Sequence, residues 1–581
     1  MNIKDILENL IITSLLDLQI DPFVVPNINL EHPEEFSHGD FSSNIAMILS
    51  KSLSKNPREI AQNIVIEINK KLPDEIQKVE VAGSGFINFY LSDSFFENKT
   101  KQILLEKEYF GKNKKLDNQK TIIEYTDPNP FKEFHIGHLM TNAVGESISR
   151  IIESNGAEVI RACYQGDVGL HVAKTIWGVK KMIEEDPAIK KGFLGNMFGF
   201  GKDDTLWGKA YAYGAANYEE NEIAKKEIME INIKVYSKDD TEVNKIYKVG
   251  RKVSLDKFEK IYKVLGTKFN EYFFESQTTD FGKKVVEENL EKGVFEKSEG
   301  AVIFRGENYG LHTRVFISSE GLTTYEAKDL GLAKIKYDRC PYDKSIIITA
   351  NEQSEYFKVL LKALELIYPD LAEKTKHISH GMLRLPSGKM SSRTGKVITG
   401  EFLLGEIKNL VLEKMKDREM GEKEKDEVSN MISVGALKYS ILKQTTGKDI
   451  IFDFDKSLSF EGDSGPYLQY SYARAKSILK KAKEENLKAD CNKIKTELTE
   501  LEKKLYQFPE IVERAGDEYL PHHIATYLIE LSSTFNSFYA KGKIVDKDDA
   551  NSPYKVALTE AFSIILKNGL NLLGISAPEK M

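Results

Sequence analysis

The run from Thr121 to Tyr164 constrains this chain most. A β-rich stretch, TIIEYT, is followed by a loop, a helical pattern and a second β-rich stretch, EVIRACY, from Glu158 to Tyr164. Over Met140 to Asn155, Val144, Ile148, Ile151 and Ile152 fall on one apolar stripe, and Gly156 is placed to cap the helix end. Strand, helix and strand in that order predict a right-handed crossover between parallel neighbours. The loop, DPNPFKEFHIGHLM from Asp127 to Met140, then runs from the C-terminal end of a parallel strand to a helix N-terminus. Doubly wound sheets bind nucleotides at that position.

The parallel texture resumes at SIIITA (Ser345 to Ala350) and HISHGM (His377 to Met382) and ends near residue 405. Between about 181 and 322 the chain is richer in charge and helical period, with a Gly-rich loop from Gly192 to Gly201, and reads as an insertion. Residues 1–112 alternate helical patterns with a strand-turn at Val81 to Leu91, and a charged linker, Gly111 to Lys120, follows. Beyond about residue 425 the pattern is almost wholly helical. A length of 581 residues allows three or four domains. The balance of 82 basic against 89 acidic residues argues against a generally basic nucleic-acid coat, though a basic face remains compatible with it. Cys163, Cys340 and Cys491 are too far apart for a metal knuckle and odd in number, which fits a reducing compartment. The N-terminus lacks a basic leader pattern and no run approaches a membrane span, so a soluble, cytoplasmic protein is expected.

Two stretches carry phosphate chemistry. Around Gly137 a backbone can approach a ligand closely, and His135 and His138 at a helix start offer donors to an anionic phosphorus centre. A structural turn with two satisfied histidines, or a metal pair, is the alternative; no Cys, Asp or Glu stands beside them at ligand spacing. The second stretch, LPSGKMSSRTGKV from Leu385 to Val397, sets Lys389 and Arg393 among glycines and hydroxyls as a cationic loop able to close over a polyphosphate. Alone it is better described as a solvated basic loop. The two elements reinforce each other because they fall in the two halves of one parallel domain.

HIGH at His135 to His138 and KMSSR at Lys389 to Arg393 resemble the two signature motifs of class I aminoacyl-tRNA synthetases. The flanking EYTDPNPFKEFHIGHLMTNAVGESISR, with YQGDVGLHVAK, GPYLQYSYARAKSIL and the closing LKNGLNLLGISAPEKM, is similar to the arginyl-tRNA synthetase family. HGDFSSNIAM and NPREIA resemble that family's additional N-terminal domain. The resemblance implies an α/β fold with a Rossmann-type parallel-sheet catalytic domain carrying an insertion, an α+β N-terminal domain and an all-α C-terminal anticodon-binding helical bundle. It places these at 1–112 (tRNA-binding), 113–405 (catalytic, insertion about 181–322) and 425–581 (anticodon-binding).

The implied partners are ATP, with Mg2+ accompanying it, L-arginine and tRNA(Arg), and the implied state is a monomer. By resemblance, His135, Gly137, His138, His380, Met382, Lys389, Met390, Ser391 and Ser392 meet ATP. Ser392 stands where the class usually has a second loop lysine, and Lys132, just before the first motif, is the implied substitute, so that His135, His138, Lys132 and Lys389 form the catalytic set. Glu124, Asn129, Tyr325, Asp329 and Gln353 match positions that contact arginine, with Asp329 assigned to the guanidinium and Glu124 and Asn129 to the α-amino side. Tyr325 and Asp329 are four apart and share a face if their stretch is helical. Solvated-helix or core roles remain open for each. Tyr467, Tyr470 and Arg474, with Tyr472, would meet unpaired bases and phosphates of the tRNA, whereas Lys476, Lys480, Lys481 and Lys483 beyond read for the most part as the solvated face of a charged helix. Lys555 and Val556 depart from the family's usual arginine and leucine.

Overall fold

Five strands pair in parallel. They are β1 (Lys120–Glu124), β2 (Glu158–Gln165), β3 (Glu271–Phe274), β4 (Lys344–Ala350) and β5 (Thr375–His380), in the order β5-β4-β1-β2-β3. The chain leaves β1 toward β2 and β3, then returns to β1's other side as β4. The C-terminal ends of β1 and β4 therefore flank the point where strand order reverses, where side chains and backbone ends open into a crevice.

The computed structural model describes residues 3–21, 28–33, 35–186, 189, 205–386, 398–492 and 498–581. These group into two units. The larger comprises 111–470, 511–529 and 569–581 and holds the parallel sheet. Helix α1 (Ile136–Ser154) crosses from β1 to β2. Its apolar stripe is buried at Val144, Ile148, Ile151 and Ile152, and Gly156 takes φ +103° just past its end. It starts four residues earlier than the apolar period predicts, because His135 itself is the N-cap. Helix α2 (Leu170–Glu185) follows β2, and α3 (Thr241–Leu265) lies among the charged helices after it.

The stretch read as one insertion, 181–322, is interrupted. Glu271–Phe274 is β3, hydrogen-bonded to β2, and α4 (Glu275–Leu290) grows directly from it. A four-residue strand within charged, helix-rich sequence has too little alternation to be seen as one. A separate antiparallel sheet, Glu296–Ser298, Ala301–Phe304 and Arg314–Ile317, follows before α5 (Tyr325–Arg339), and α6 (Ser354–Ile367) comes after β4.

In the same unit, α7 (Glu422–Leu442) carries Lys438, whose ammonium is buried and donates to Leu265 O at 2.7 Å and Gly574 O at 2.9 Å. Burial, with Arg150 nearby, pulls its pKa down to about 7. Arg150 of α1 reaches Asn571 and Gly266, so the last turn of α3 and the closing segment after Gly569 are both tied to the helix behind the crevice.

The smaller unit comprises 1–110, 471–510 and 530–568. Helices Ile3–Asp17 and Pro57–Asn69 cover a three-stranded antiparallel sheet over a core that includes Leu7, Ile11, Ile64, Ile87 and Phe89. Asn56 caps the second helix by accepting from Arg58 N–H, with Pro57 in its first turn, which explains NPREIA. The C-terminal helices contribute the rest, with Phe535 and Phe562 stacked at 3.9 Å.

Candidate active site

The loop after β1 is held in a conformation that most residues avoid. Thr126, Asp127 and Phe131, none of them glycine, have φ of 79°, 45° and 70°. Such residues persist only where surroundings over-determine them. Asn142 donates to Thr126 Oγ1 at 3.0 Å, Tyr164 N–H to Asp127 Oδ1 at 2.7 Å, and Phe131 N–H to Ser254 Oγ at 3.0 Å. The β1 end, α1, β2 and α3 thus set the path of this loop.

The two histidines close the loop as a reciprocal cap. His135 Nδ1 accepts from Gly137 N–H at 3.1 Å, and His138 Nδ1 accepts from His135 N–H at 3.1 Å, with the rings stacked 3.7 Å apart. A ring nitrogen that accepts a backbone N–H carries no proton, so in each neutral imidazole the proton sits on Nε2. Burial pushes both pKa values below the ordinary histidine value, His138 the further, and each is lowered also by nearby Lys132. They are neutral donors rather than cations. A Cβ at Gly137 would come within 2.9 Å of the His135 ring, so glycine is required by the cap itself.

Lys132 is half-buried, with its ammonium 5.5 Å from the Tyr211 ring centroid. Burial lowers its pKa and Glu275 opposes that shift. His380, at the end of β5, is buried, with Nε2 2.8 Å from Thr141 Oγ1 of α1 and Nδ1 2.7 Å from Gly381 O. Met382 N–H donates to Asp449 at 2.8 Å. Lys389, Met390, Ser391 and Ser392, with Arg393, lie outside the described residues.

Beside the cap, carboxyls converge from four elements. Glu124 ends β1 and is ion-paired with Lys336 of α5 at 2.7 Å, both buried. Glu275 starts α4 and is paired with Lys328 of α5 at 2.7 Å, again buried. Asp127 lies in the strained loop. Asp329 is on α5 between the two lysines and accepts from Tyr356 OH of α6 at 2.5 Å. Four carboxyls thus face Lys328 and Lys336, with Lys132 close to Glu275 as a third cation. Burial, reinforced by the charges of Glu124 and Glu275, pushes Asp329 up to about 8 even with Tyr356 and Lys336 opposing it. Burial and Glu124 raise Asp127, and burial raises Glu275 despite its lysine. The site has an excess of acid that a cationic ligand would relieve.

Two of the other expected arginine residues, Asn129 and Tyr325, lie beside this cluster. Asn129 Oδ1 accepts from Gly166 N–H at 2.9 Å; a Cβ at Gly166 would collide with that oxygen and with Glu275. Tyr325 opens α5 one turn before Asp329, largely exposed, with Lys328 5.3 Å from its ring centroid. Gln353 is exposed in the short turn after β4, across the switch point from Glu124. Glu275, Lys328, Lys336 and Asp127 were not anticipated: each is defined by a partner distant in sequence, and the Lys336–Glu124 pair spans 212 positions.

The charge on Asp329 gives a pH dependence. Below about 8 the ligand-free pocket holds this carboxyl protonated. A guanidinium favours the ionised form, so binding releases a proton there and apparent affinity rises with pH until about 8, then levels. The groups facing Asp329 are Glu124 and Lys336, Glu275, Asp127, Tyr356, Tyr164 and Tyr325. Titration calorimetry of arginine at pH 7 in two buffers of different ionisation enthalpy should show proton release; none would contradict the assignment.

Farther along, α8 (Gly465–Glu484) carries Tyr467 and Tyr470 half-buried. Tyr470 sits edge-on to Phe460 at 6.3 Å. Tyr472 is buried in the core, and Arg474 donates to Asn536 at 2.5 Å and lies 5.4 Å from the Tyr539 ring centroid. Lys480 and Lys481 are within ion-pair range of Glu484 and Glu485, Lys555 donates to Asp549 at 2.7 Å, and Val556 is buried. Among the described residues no helix is long and apolar enough to cross a membrane, and no group of three or more His, Cys, Asp or Glu side chains could hold a metal.

Three family profiles match the chain in sequence. Residues 2–91 match the arginyl tRNA synthetase N terminal domain, 99–454 the catalytic domain of class I (R) tRNA synthetases, and 468–581 the DALR anticodon binding domain. The chain is 33% identical over 558 residues to arginine–tRNA ligase of Clostridium acetobutylicum, covering 95% of this chain and 96% of that one. It is likewise 33% identical to that of Fusobacterium nucleatum, covering 94% and 93%. The solved arginyl-tRNA synthetase of Thermus thermophilus superposes with a TM-score of 0.76 at 25% identity, covering 99% of this chain and 100% of that one. Profiles that match nearly the whole length in order, with 33% identity to arginine–tRNA ligases over 95% of the chain, make this chain a member of the class I arginyl-tRNA synthetase family.

Proposed function

We infer that the chain is an arginine–tRNA ligase, which activates L-arginine with ATP to arginyl-adenylate and pyrophosphate. It then passes the arginyl group to the 3'-terminal ribose of tRNA(Arg), releasing AMP. The observation that carries arginine as the substrate is the excess of buried carboxyl over lysine around Asp329. Arginine brings two cationic groups and one carboxylate. The guanidinium takes Asp329 beside Glu275 with Tyr325 over it, since a planar fork suits a carboxylate bidentately. The α-ammonium takes Glu124 and Asn129, and Gln353 closes the far side.

The arginine carboxylate is already ionised and needs no base. Its oxygen attacks the α-phosphorus of ATP while the bond from that phosphorus to the pyrophosphate oxygen breaks. Positioning and charge neutralisation therefore supply the rate. His135 and His138 each offer one Nε2–H to ATP oxygens at the N-terminus of α1, where the helix dipole adds to them. His380 and Met382, with Gly137 and the Lys389 to Ser392 loop, complete the ATP site, and Mg2+ accompanies ATP on its phosphate oxygens. Tyr467, Tyr470 and Arg474 meet the tRNA through stacking and charge. The chain acts as a monomer in the cytoplasm.

Lys132 supplies the cation that Ser392 does not. Its ammonium lies near enough to both histidines to depress their pKa values. Lys132→Ala is expected to lower activation by more than about tenfold, since contact with transition-state charge is worth at least about 1.4 kcal/mol. An unchanged rate would refute the role. The activity itself is read by arginine-dependent pyrophosphate exchange with and without tRNA; absence of exchange with any tRNA, or exchange driven by another amino acid, overturns the function.

A further inference from the structure

On the far side of the residues that line the arginine site lies a second cavity, of about 400 Å³, in the same unit. Its charge is opposite. Lys238, Lys248, Arg251 and Lys252 line it against two carboxylates, Asp167 and Asp256, in a chain whose net charge is −7. Asp256 is already paired with Lys252 at 2.5 Å. Asp167 is buried and saturated: it accepts from Tyr247 OH at 3.0 Å, Arg251 Nε at 2.9 Å, and Ser276 N–H and Oγ at 2.9 and 2.8 Å. It acts as a clamp, holding the Arg251 guanidinium over the Phe274 ring, 3.9 Å from its centroid. Among the described residues neither Lys238 nor Lys248 is paired with a carboxylate.

The cavity is coupled to the arginine site by chain neighbours. Gly166 binds Asn129 while Asp167 lines the cavity, and Glu275 binds Lys328 while Ser276 lines it. Tyr236 OH accepts from Lys328 at 3.2 Å, two residues before Lys238. A cavity of this volume takes a nucleotide-sized group. A pre-oriented guanidinium with lysines around it recognises phosphate oxygens.

We propose that this cavity, built by α3 and the segments bearing Asp167, Lys238 and Ser276, binds a phosphodiester of the tRNA backbone. The proposal rests on the ligase reading, because that reading supplies the RNA. The same chemistry would serve free pyrophosphate, and the experiment separates the two.

The test is tRNA binding by the full-length Lys238→Ala/Lys248→Ala variant across a salt series, beside Lys284→Ala/Lys292→Ala, which removes two lysines outside the cavity. Each lost phosphate contact flattens the slope of log affinity against log salt by about 0.7–0.9. The cavity variant is expected to lose about tenfold in tRNA affinity at low salt and up to about 0.9 in slope, with arginine binding in the absence of tRNA unchanged. Lys238→Arg/Lys248→Arg should restore both. An unchanged slope, an equal loss in the control pair, or a change confined to the KM for pyrophosphate in the reverse reaction would overturn the proposal. Wild-type exchange activity is untouched by any of these outcomes, so their failure is separate from that of the ligase reading.

Discussion

Asp329→Asn is expected to lower kcat/KM for arginine by about 10²–10³-fold while the protein stays folded. Losing one charge of a desolvated ion pair at a recognition site costs about 2–5 kcal/mol, at about 1.4 kcal/mol per factor of ten. The fold is spared for a reason visible in the site. In the free protein Asp329 is an acid pushed up to about 8 by burial and by Glu124 and Glu275, so its charge does not hold the fold together. An amide keeps the bond from Tyr356 and removes the repulsion, and the melting temperature should stay level or rise. Steady-state pyrophosphate exchange and a thermal melt on one preparation decide it. An arginine kcat/KM within a factor of about three of wild type would remove Asp329 from the guanidinium site.

The second large effect concerns stability. Lys336→Met keeps side-chain length but strands Glu124, 5% exposed, without the ammonium 2.7 Å away. Breaking a buried pair on one side costs about 3–5 kcal/mol, whereas replacing both partners by neutral groups is often nearly neutral. Lys336→Met alone should therefore lower the denaturant midpoint strongly, and Lys336→Met/Glu124→Gln should recover most of the loss. The double variant should still bind arginine poorly, because the α-ammonium has lost its carboxylate. Equal stability of wild type and Lys336→Met would show that Glu124 is charge-compensated by something else.

Local order made some of this legible in the sequence and hid the rest. The β1–α1–β2 unit could be read because helix period and strand runs are local properties, and the position of the histidine loop follows from that topology. The matched positions Glu124, Asn129, Tyr325 and Asp329 came from family resemblance, and the structure brings Glu124 and Asp329 into one acid cluster with Asn129 and Tyr325 at its margin. The lysines that set the cluster's charge were not legible. Lys328 and Lys336 on α5 look like ordinary surface lysines of a charged helix, and only the packing of α5 against the ends of β1 and α4 buries them. The histidines were legible as donors but not as a neutral pair, since their tautomers depend on two backbone bonds that exist only once α1 starts at Ile136. Strand β3 was missed because four residues carry too little pattern, which is why the inserted region seemed continuous.

An acid-rich pocket that selects arginine should do so by charge. Citrulline tests it, having nearly the same shape with a neutral ureido group in place of the guanidinium. In pyrophosphate exchange with tRNA(Arg) present, the wild-type protein should use arginine and reject citrulline by about 10³-fold or more in kcat/KM, because a neutral ureido group cannot stabilise the ionised Asp329 carboxylate against burial as a guanidinium does. Comparable use of the two amino acids would contradict the account.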